Sequence, residues 1–587
     1  MILGYAFTSV FAVSFIGLIV SLFLARREIR KSIAGVSRGA MIALIATLVF
    51  FLVFALVLVK PVEQLYFDEN IYQGIALNIL MHGNALWCQY GTGYLHSCFE
   101  NAIYHDPVEI SFFIAMAFAI FGIGTTTAYN MQLLIGAISI VAVFGLAYAM
   151  FKRNDIAVAS TFAFALTPML FIWSRTQADP DPYFMLLSTI AFFLFVVFAE
   201  HTNRKTLTAF TFSLVLAAYA RSEGVLLIAL FAILMLAFGK GGIKKTISMR
   251  LPKINYAINS DTKTLVVFLA FIVMMIPQVY YLASELQSPQ YGQPSNQSII
   301  SLSNFAANLM PNVDFFSGAY NNIYSYPIVF PWETTLLALI GAAFLAFYAR
   351  EKNRFSAMLL LGLWILAYFA FYTAFYAGAA TYGVDSRFML QLLPGIAILA
   401  GVGIAELSDA SGKLIYMLRI RRRPSAKTVV VYFPSRYAKY RYAVFAAVVV
   451  AAIFVPFALL MPITTIAPES MPQQGVILPA MNFFYANYSK VPANCLVFSF
   501  TPDIWYEVNR SSAQIGYLGS LNANFTDTLS KYNCFVFDYG YWCLVPPYHS
   551  TACKYTLEEY KTKLIVQGSE TSTGNAPALY MLLNYTS

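Results

Sequence analysis

Charge is scarce in this chain. Only 11% of its 587 residues are Asp, Glu, Lys or Arg, against 59% that are hydrophobic. Soluble domains carry charge on about a quarter of their residues, so a water-soluble globular protein of this length is excluded. Histidine is rarer still at five residues, and the six cysteines contain no Cys-x-x-Cys pair, which removes structural zinc modules. No internal repeat, heptad array or low-complexity tract occurs, which rules out solenoids and coiled coils. The net charge of +9 belongs to a small set of loops, not to a basic patch of the kind that binds nucleic acid.

What the chain has in abundance is apolar runs of roughly 17–25 residues, long enough to cross a bilayer as helices. Candidate spans begin near Ile2, Gly39, Thr126, Ile156, Tyr183, Thr206, Val225, Thr264, Trp332, Phe355, Phe388 and Tyr442. The chain reads as a polytopic α-helical membrane protein with about 12 transmembrane helices. Some runs, such as Thr206 to Tyr219, are short and need neighbouring protein to cover their ends. The first, Ile2 to Ala25, lacks a basic leading segment and is followed by Arg26-Arg27-Glu28, so a retained helix is expected there and not a signal peptide.

Basic residues gather in alternate loops: Arg26 to Arg38, Lys152 and Arg153, Arg204 and Lys205, Lys240 to Lys263, Arg350 to Arg354, and Arg419 to Arg441. The positive-inside rule makes those loops cytoplasmic, so the basic excess sets topology. Both termini then lie outside, with Cys88, Cys98, Cys495, Cys534, Cys543 and Cys553. An even number of cysteines in an oxidising compartment predicts disulfides, Cys88 with Cys98 and two more in the C-terminal region. The sequons at Asn296, Asn487, Asn509, Asn524 and Asn584 fall on the same side. The expected location is a prokaryotic cell membrane, archaeal or bacterial.

Residues 1–460 form the expected membrane domain. Its first outer loop, 61–125, ends in an apolar stretch, 108–122, introduced by His105-Asp106-Pro107. If that stretch crossed the membrane, every later loop would invert, so a juxtamembrane or re-entrant helix is predicted. The second outer loop, 284–331, is rich in Asn, Gln, Ser, Tyr and Pro; loops of this length usually serve as lids or binding loops. Residues 461–587 are soluble in character. Their short runs CLVFSF, CFVFDY, KLIVQ and ALYMLL predict a small α/β extracytoplasmic domain.

Asp68 and Glu69 open the segment FDENIYQGIALNIL directly beyond a span. A carboxylate at the membrane boundary is placed to accept a proton, and Tyr72, four residues on, shares the face of Asp68 on a helix. Burial would raise the pKa of Asp68, and like charge on Glu69 would add to this. The pair equally suits a helix start, with Asp68 as N-cap and Glu69 in the first turn; both readings stand at this point. SRTQADPDPYF carries a second acidic site, Asp179 and Asp181, although Asp181 before Pro182 also fits an N-cap followed by proline.

Arg175, Arg221 and Arg387 lie at the outer ends of spans, where charge bias disfavours them. A guanidinium binds phosphate bidentately, so a lipid phosphate is the expected partner, with Arg387 first and His105 in support. The alternative is local pairing: Arg221 with Glu223, Arg387 with Asp385, Arg175 with Asp179. No metal is expected, although oxygen ligands from Asp68 and Asp179 or Asp181 would suit Mg²⁺ or Mn²⁺.

The order of these motifs resembles the GT-C superfamily of membrane glycosyltransferases, most nearly the protein O-mannosyltransferases and the lipid A aminoarabinose transferase. Asp68-Glu69-Asn70-Ile71-Tyr72 matches the DExxY pattern of their first outer loop. HDPVEISFFIAMAFAIFG, AYNMQLLIGAISIVAVFGLAYAMFKR, TFAFALTPMLFIWSRTQADPDPYFMLL and DSRFMLQLLPGIAIL are similar to later family segments, over about residues 40 to 410. SRTQADPDPYF departs from the pattern by one extra residue between Arg175 and the Pro180-Asp181 pair. The resemblance implies inverting transfer of a hexose of mannosyl type from a dolichyl- or undecaprenyl-phosphate donor to a protein, glycan or lipid acceptor. It makes Asp68 the catalytic carboxylate and requires no cofactor. A transporter or lipid-linked oligosaccharide flippase is the alternative, but those place charge in mid-membrane and often repeat their halves. FDYGYW, Phe537 to Trp542, superficially resembles an acceptor-binding element of oligosaccharyltransferases; in a β-rich tail such strings are ordinarily core.

Overall fold

The structure, a computed structural model, describes residues 2–61, 67–88, 91–93, 97–104, 108–175, 178–238, 262–285, 298–318, 330–348, 354–380, 383–421, 434–461, 474–519, 530–544 and 548–583. His105, Asn296, Asn524 and Asn584 lie outside them, as does the side chain of Asp385. In chain order the first half holds α1 (Ile2–Leu24), α2 (Arg26–Ser32), α3 (Arg38–Leu58), α4 (Phe67–His82), α5 (Glu109–Phe121), α6 (Thr125–Phe151), α7 (Asn154–Ala165), α8 (Pro168–Arg175) and α9 (Asp181–His201). It continues with α10 (Arg204–Ala220), α11 (Leu226–Phe238), α12 (Thr262–Glu285), α13 (Leu302–Phe316), α14 (Trp332–Phe347), α15 (Arg354–Ala374), α16 (Leu393–Arg421) and α17 (Pro434–Val449).

Among the described residues eight helices are long and apolar enough to span a bilayer, and a ninth is obtained by joining α7 to α8 across a 58° bend. Pro168 causes that bend: it opens α8 and cannot donate into the turn before it. The other runs read as spans are helical but shorter, at 17 residues for α10, 16 for α14 and 13 for α11. The apolar stretch 108–122 contains α5, whose first turns are buried while Ile120 and Phe121 at its tip are exposed. Phe112 and Phe113 of α5 pack on Phe11 and Phe15 of α1 at 5.1–6.1 Å between ring centroids. Local chemistry starts the helices: Ser37 accepts the Ala40 N–H at α3, and Asn203 and Thr206 form a capping box at α10.

Lipid tails are as apolar as leucine, so helices in a bilayer associate through close packing of small residues. α16 illustrates this. A Cβ on Gly403 would stand 2.2 Å from the Leu337 carbonyl of α14, and one on Gly401 2.7 Å from the Ser160 nitrogen of α7. The backbones meet there, which fixes α16 and the 3₁₀ segment Gly383–Gln391 that precedes it.

Among the described residues, Lys152, Arg153, Arg354 and Arg441 form ion pairs at one end of the bundle. Lys152 reaches Glu200 at 2.7 Å and the Ser32 carbonyl at 2.8 Å. Arg153 meets Asp155 at 2.6 Å and Glu406 at 2.7 Å, and Arg441 meets Asp409 at 2.6 Å. Asp68, Arg175, Asp179, Arg221 and Arg387 stand at the other end of their helices, as alternate-loop charge requires.

At that second end lies a six-stranded sheet of order β2-β5-β4-β6-β8-β7. Five strands come from the C-terminal region: β4 (Cys495–Ser499), β5 (Ser512–Gln514), β6 (Cys534–Tyr539), β7 (Thr562–Gln567) and β8 (Ala578–Leu582). The sixth, β2 (Gly91–Thr92), belongs to the first outer loop and runs antiparallel to β5. Gly91 has φ +99°, and a Cβ there would stand 2.0 Å from the Ser512 carbonyl oxygen, so only glycine fits. The same loop forms a ribbon of β1 (Trp87–Cys88) and β3 (Asn101–Ala102). Three disulfides join Cys88–Cys98, Cys495–Cys534 and Cys543–Cys553, the first as expected and the others within the C-terminal domain.

Candidate active site

Asp68 lies in the first turn of α4, the helix that begins nine residues after α3 ends. It is half-buried, and its Oδ1 accepts the Tyr104 hydroxyl at 2.5 Å. Tyr104 is itself buried between Tyr72 and Trp87, with ring centroids 5.8 and 5.3 Å away. Tyr72 therefore stands on the Asp68 face of α4 and supports its hydrogen-bond donor. Burial, and after it the Asp68 carboxylate, push the Tyr104 hydroxyl well above its ordinary pKa, so it remains a donor. Glu69 points elsewhere: it is buried and accepts the Tyr129 hydroxyl of α6. Ser111 of α5 donates to the Tyr72 carbonyl at 3.0 Å, tying α4 to the juxtamembrane helix.

One turn of α6, Tyr129 to Gln132, gathers three predicted residues. Tyr129 holds Glu69, Asn130 Oδ1 accepts Arg175 Nη1 at 2.9 Å, and Gln132 Oε1 accepts the Asp179 N–H at 3.3 Å. Gln132 also donates to the Trp173 carbonyl at 2.8 Å, which locks the end of α8.

The second acidic site is an ion-pair network. Arg387 Nη1 meets Asp179 Oδ2 at 2.7 Å, and its Nε lies 3.8 Å from Asp181 Oδ2. Arg221 Nη1 meets Asp181 Oδ2 at 2.8 Å, and its Nε meets Glu223 Oε1 at 2.7 Å. Tyr372 donates to the same Glu223 oxygen at 2.7 Å. The two guanidinium carbons stand 5.2 and 5.3 Å from the centroid of the Phe388 ring. Burial is the largest influence on the Asp179 carboxylate and disfavours it, yet Arg387, the hydrogen bonds with Asp181 and Arg221 together hold the group below its ordinary pKa. Burial likewise opposes the Arg387 charge, and Asp179, Asp181 and Asp68 together raise that group well above its usual range. Asp68 thus acts electrostatically on the arginine at the heart of this network.

The helix-start reading of Asp181 needs correction. α9 does begin at Asp181 with proline next, but no side chain caps it; the Asp181 carboxylate serves Arg221, and the Asp181 N–H donates to Asp179 Oδ1 at 3.0 Å. Of the local pairs considered, Arg221 with Glu223 forms. Arg175 takes Asn130 and Asp179 takes Arg387, so Arg175 with Asp179 does not. Arg175 has no ion pair among the described residues, and its buried Nε has no hydrogen-bond partner there. Sequence reasoning missed Tyr104, Tyr129, Tyr372 and Gln391, whose Nε2 donates to the Asp181 carbonyl at 3.0 Å. Nothing local marks these; only the motif segments that contain Tyr129 and Gln391 hinted at them. In FDYGYW, Asp538 accepts from Trp505 and Ser499 inside the C-terminal core, at 2.8 and 2.9 Å, so this string is core. Among the described residues no three His, Cys, Asp or Glu side chains converge as metal ligands do.

Residues 105–273 match the model of the dolichyl-phosphate-mannose-protein mannosyltransferase family. That stretch holds Arg175, Asp179, Asp181, Arg221 and Glu223, but neither Asp68 nor Arg387. The fold is similar to that of ArnT from Cupriavidus metallidurans in the apo state, with TM-score 0.54 and 12% identity over 92% of this chain and 98% of that one. The same protein bound to undecaprenyl phosphate gives TM-score 0.51 and 13% identity over 93% of this chain and 99% of that one. No curated protein matches the sequence.

Proposed function

We propose that this chain, whose fold is similar to that of ArnT and whose residues 105–273 match a mannosyltransferase family model, is a GT-C membrane glycosyltransferase that transfers a sugar from a polyprenyl phosphate to an acceptor hydroxyl on the extracytoplasmic face. The observation that carries this reading is the electrostatic coupling of a half-buried carboxylate, Asp68, to Arg387, the arginine of the buried ion-pair network. Asp68, oriented by Tyr104, accepts the acceptor's proton as its oxygen attacks the anomeric carbon. The bond from that carbon to the phosphate oxygen breaks on the opposite face, the polyprenyl phosphate leaves with the electron pair, and the anomer inverts.

Arg387 and Arg175 hold the phosphate. A guanidinium has five N–H donors and can serve a carboxylate and a phosphate together, so Arg387 keeps its bond to Asp179 as it binds. Arg175 contributes positive charge that no carboxylate of the described residues neutralises. Tyr72 and Glu69 brace α4, while Asp181, Arg221 and Glu223 brace the Arg387 segment. The mannosyl type of the family model is the first sugar to test, with protein, glycan and lipid acceptors compared.

Purified protein in lipid nanodiscs, given a panel of dolichyl- and undecaprenyl-phosphate sugars, should release free polyprenyl phosphate in step with glycosylated acceptor. Transfer from nucleotide sugars alone, with lipid-linked donors inert, would overturn the reading.

A further inference from the structure

The C-terminal domain is joined to the loop that carries Asp68 by more than a covalent tether. β2 of the first outer loop is the edge strand of its sheet, and Ser511 donates to the Gly93 carbonyl at 3.1 Å. Next to this, Trp87 Nε1 donates to Asp503 Oδ2 at 3.2 Å. Asp503 is buried at 3% exposure in the short helix Pro502–Glu507. Its other oxygen presses on the backbone of α4: a Cβ on Gly74 would stand 2.1 Å from Asp503 Oδ1.

A carboxyl is a costly group to bury with no basic partner, and Asp503 has none among the described residues. An indole N–H can be satisfied by any backbone carbonyl. The choice of an acid therefore calls for a reason, and the contacts supply one. Trp87 pairs with Ala102 across the β1–β3 ribbon, and the Cys88–Cys98 disulfide closes the same loop. The ribbon leads two residues further to Tyr104, whose ring meets the Trp87 ring edge-on at 5.3 Å and 67°. Tyr104 donates to Asp68. A line of direct contacts thus runs from the soluble domain to the candidate base.

We infer that Asp503 is a positioning residue for the transfer reaction: it fixes the Trp87 indole, which fixes Tyr104, which aims the Asp68 carboxylate. The inference rests on the reading of Asp68 as proton acceptor. Burial pushes the Asp503 carboxyl up to about 8, so it is neutral at neutral pH and asparagine is its close mimic.

The test uses the full-length protein with Asp503→Leu, Asp503→Asn and Trp87→Phe, measured for kcat, donor KM and the pH dependence of kcat/KM. Asp503→Leu and Trp87→Phe should lower kcat by roughly 10- to 100-fold, the scale of a misplaced reacting group, with donor KM within about two-fold of the parent. Both should also move the acidic limb to higher pH, because a loosened Tyr104 bond favours the Asp68 carboxylate less. Asp503→Asn should retain most of the rate, and the Asp503→Leu/Trp87→Phe double variant should be no slower than the worse single. Where Asp503→Leu fails to reach the membrane, Trp87→Phe, which keeps an aromatic ring at that position but removes the indole N–H that Asp503 accepts, carries the test. An unshifted acidic limb, or no rescue by asparagine, would make Asp503 a structural residue only and overturn the inference. Asp68→Asn assayed in parallel separates the two readings. If it is inactive while Asp503→Leu is fully active, this inference alone fails; if it is active, the base assignment fails and takes this inference with it.

Discussion

Replacing Arg387 with methionine tests whether that guanidinium binds phosphate or merely neutralises Asp179. The side chain is 14% exposed and meets a carboxylate that is 3% exposed. Removing one partner of such a buried pair costs about 3–5 kcal/mol, because the charge left behind is uncompensated. The single variant is therefore expected to be destabilised and inactive, an outcome that a purely structural role also predicts. The double variant Arg387→Met/Asp179→Asn removes both charges, and the asparagine Oδ1 can still accept the Asp181 N–H that Asp179 accepts at 3.0 Å. It should recover most of the lost thermal stability in detergent. Donor binding should not recover: charged hydrogen bonds contribute about 1.5–3 kcal/mol, a loss of roughly 10- to 150-fold in affinity. The assay pairs a thermal melt with competition by polyprenyl phosphate on the same preparation. Recovery of donor affinity along with stability in the double variant would refute the phosphate role.

Other perturbations follow from the same geometry. Tyr104→Phe keeps the ring packing and deletes the donor to Asp68; kcat should fall about ten-fold with donor KM unchanged, and the acidic limb of kcat/KM should move to higher pH. Gly74→Ala would drive a methyl into Asp503, at a cost of about 1–3 kcal/mol, and should raise the protease sensitivity of the C-terminal domain. The pKa of Asp503 rises on folding from 3.8 to about 8, so its contribution to stability is complete below pH 4 and lost as pH climbs through 8. Melting temperatures across that window should therefore fall more steeply for the parent than for Asp503→Asn, and parallel curves would contradict the buried-acid assignment.

Features that the sequence expresses locally were legible. Apolar runs mark the helices, alternating basic loops assign the two ends, and two cysteines ten residues apart in one loop predicted their own bond. The place of Asp68 in the first turn of a helix that follows a span was legible too, because a carboxylate pair at a helix start is visible without a partner. Partners distant along the chain were not. Arg387 finds Asp179 from 208 residues away, and no periodicity records that. Tyr104 sits in a short irregular stretch with no pattern to single it out among 39 tyrosines. β2 is a two-residue strand, Gly91–Thr92, too short to show alternation, so its insertion into the C-terminal sheet leaves no trace in sequence. Asp503 stands in PDIWYE, which reads as an ordinary helix start until Trp87, 416 residues earlier, is brought against it.

The measurement that bears most directly on the whole account is sugar transfer by Asp68→Asn. The variant protein should insert normally, keep its three disulfides and bind polyprenyl phosphate as the parent does. Its turnover should fall by about 10²- to 10⁴-fold, the worth of a positioned general base. Turnover close to that of the parent, from a variant so folded, would contradict the assignment of Asp68 and the mechanism built on it.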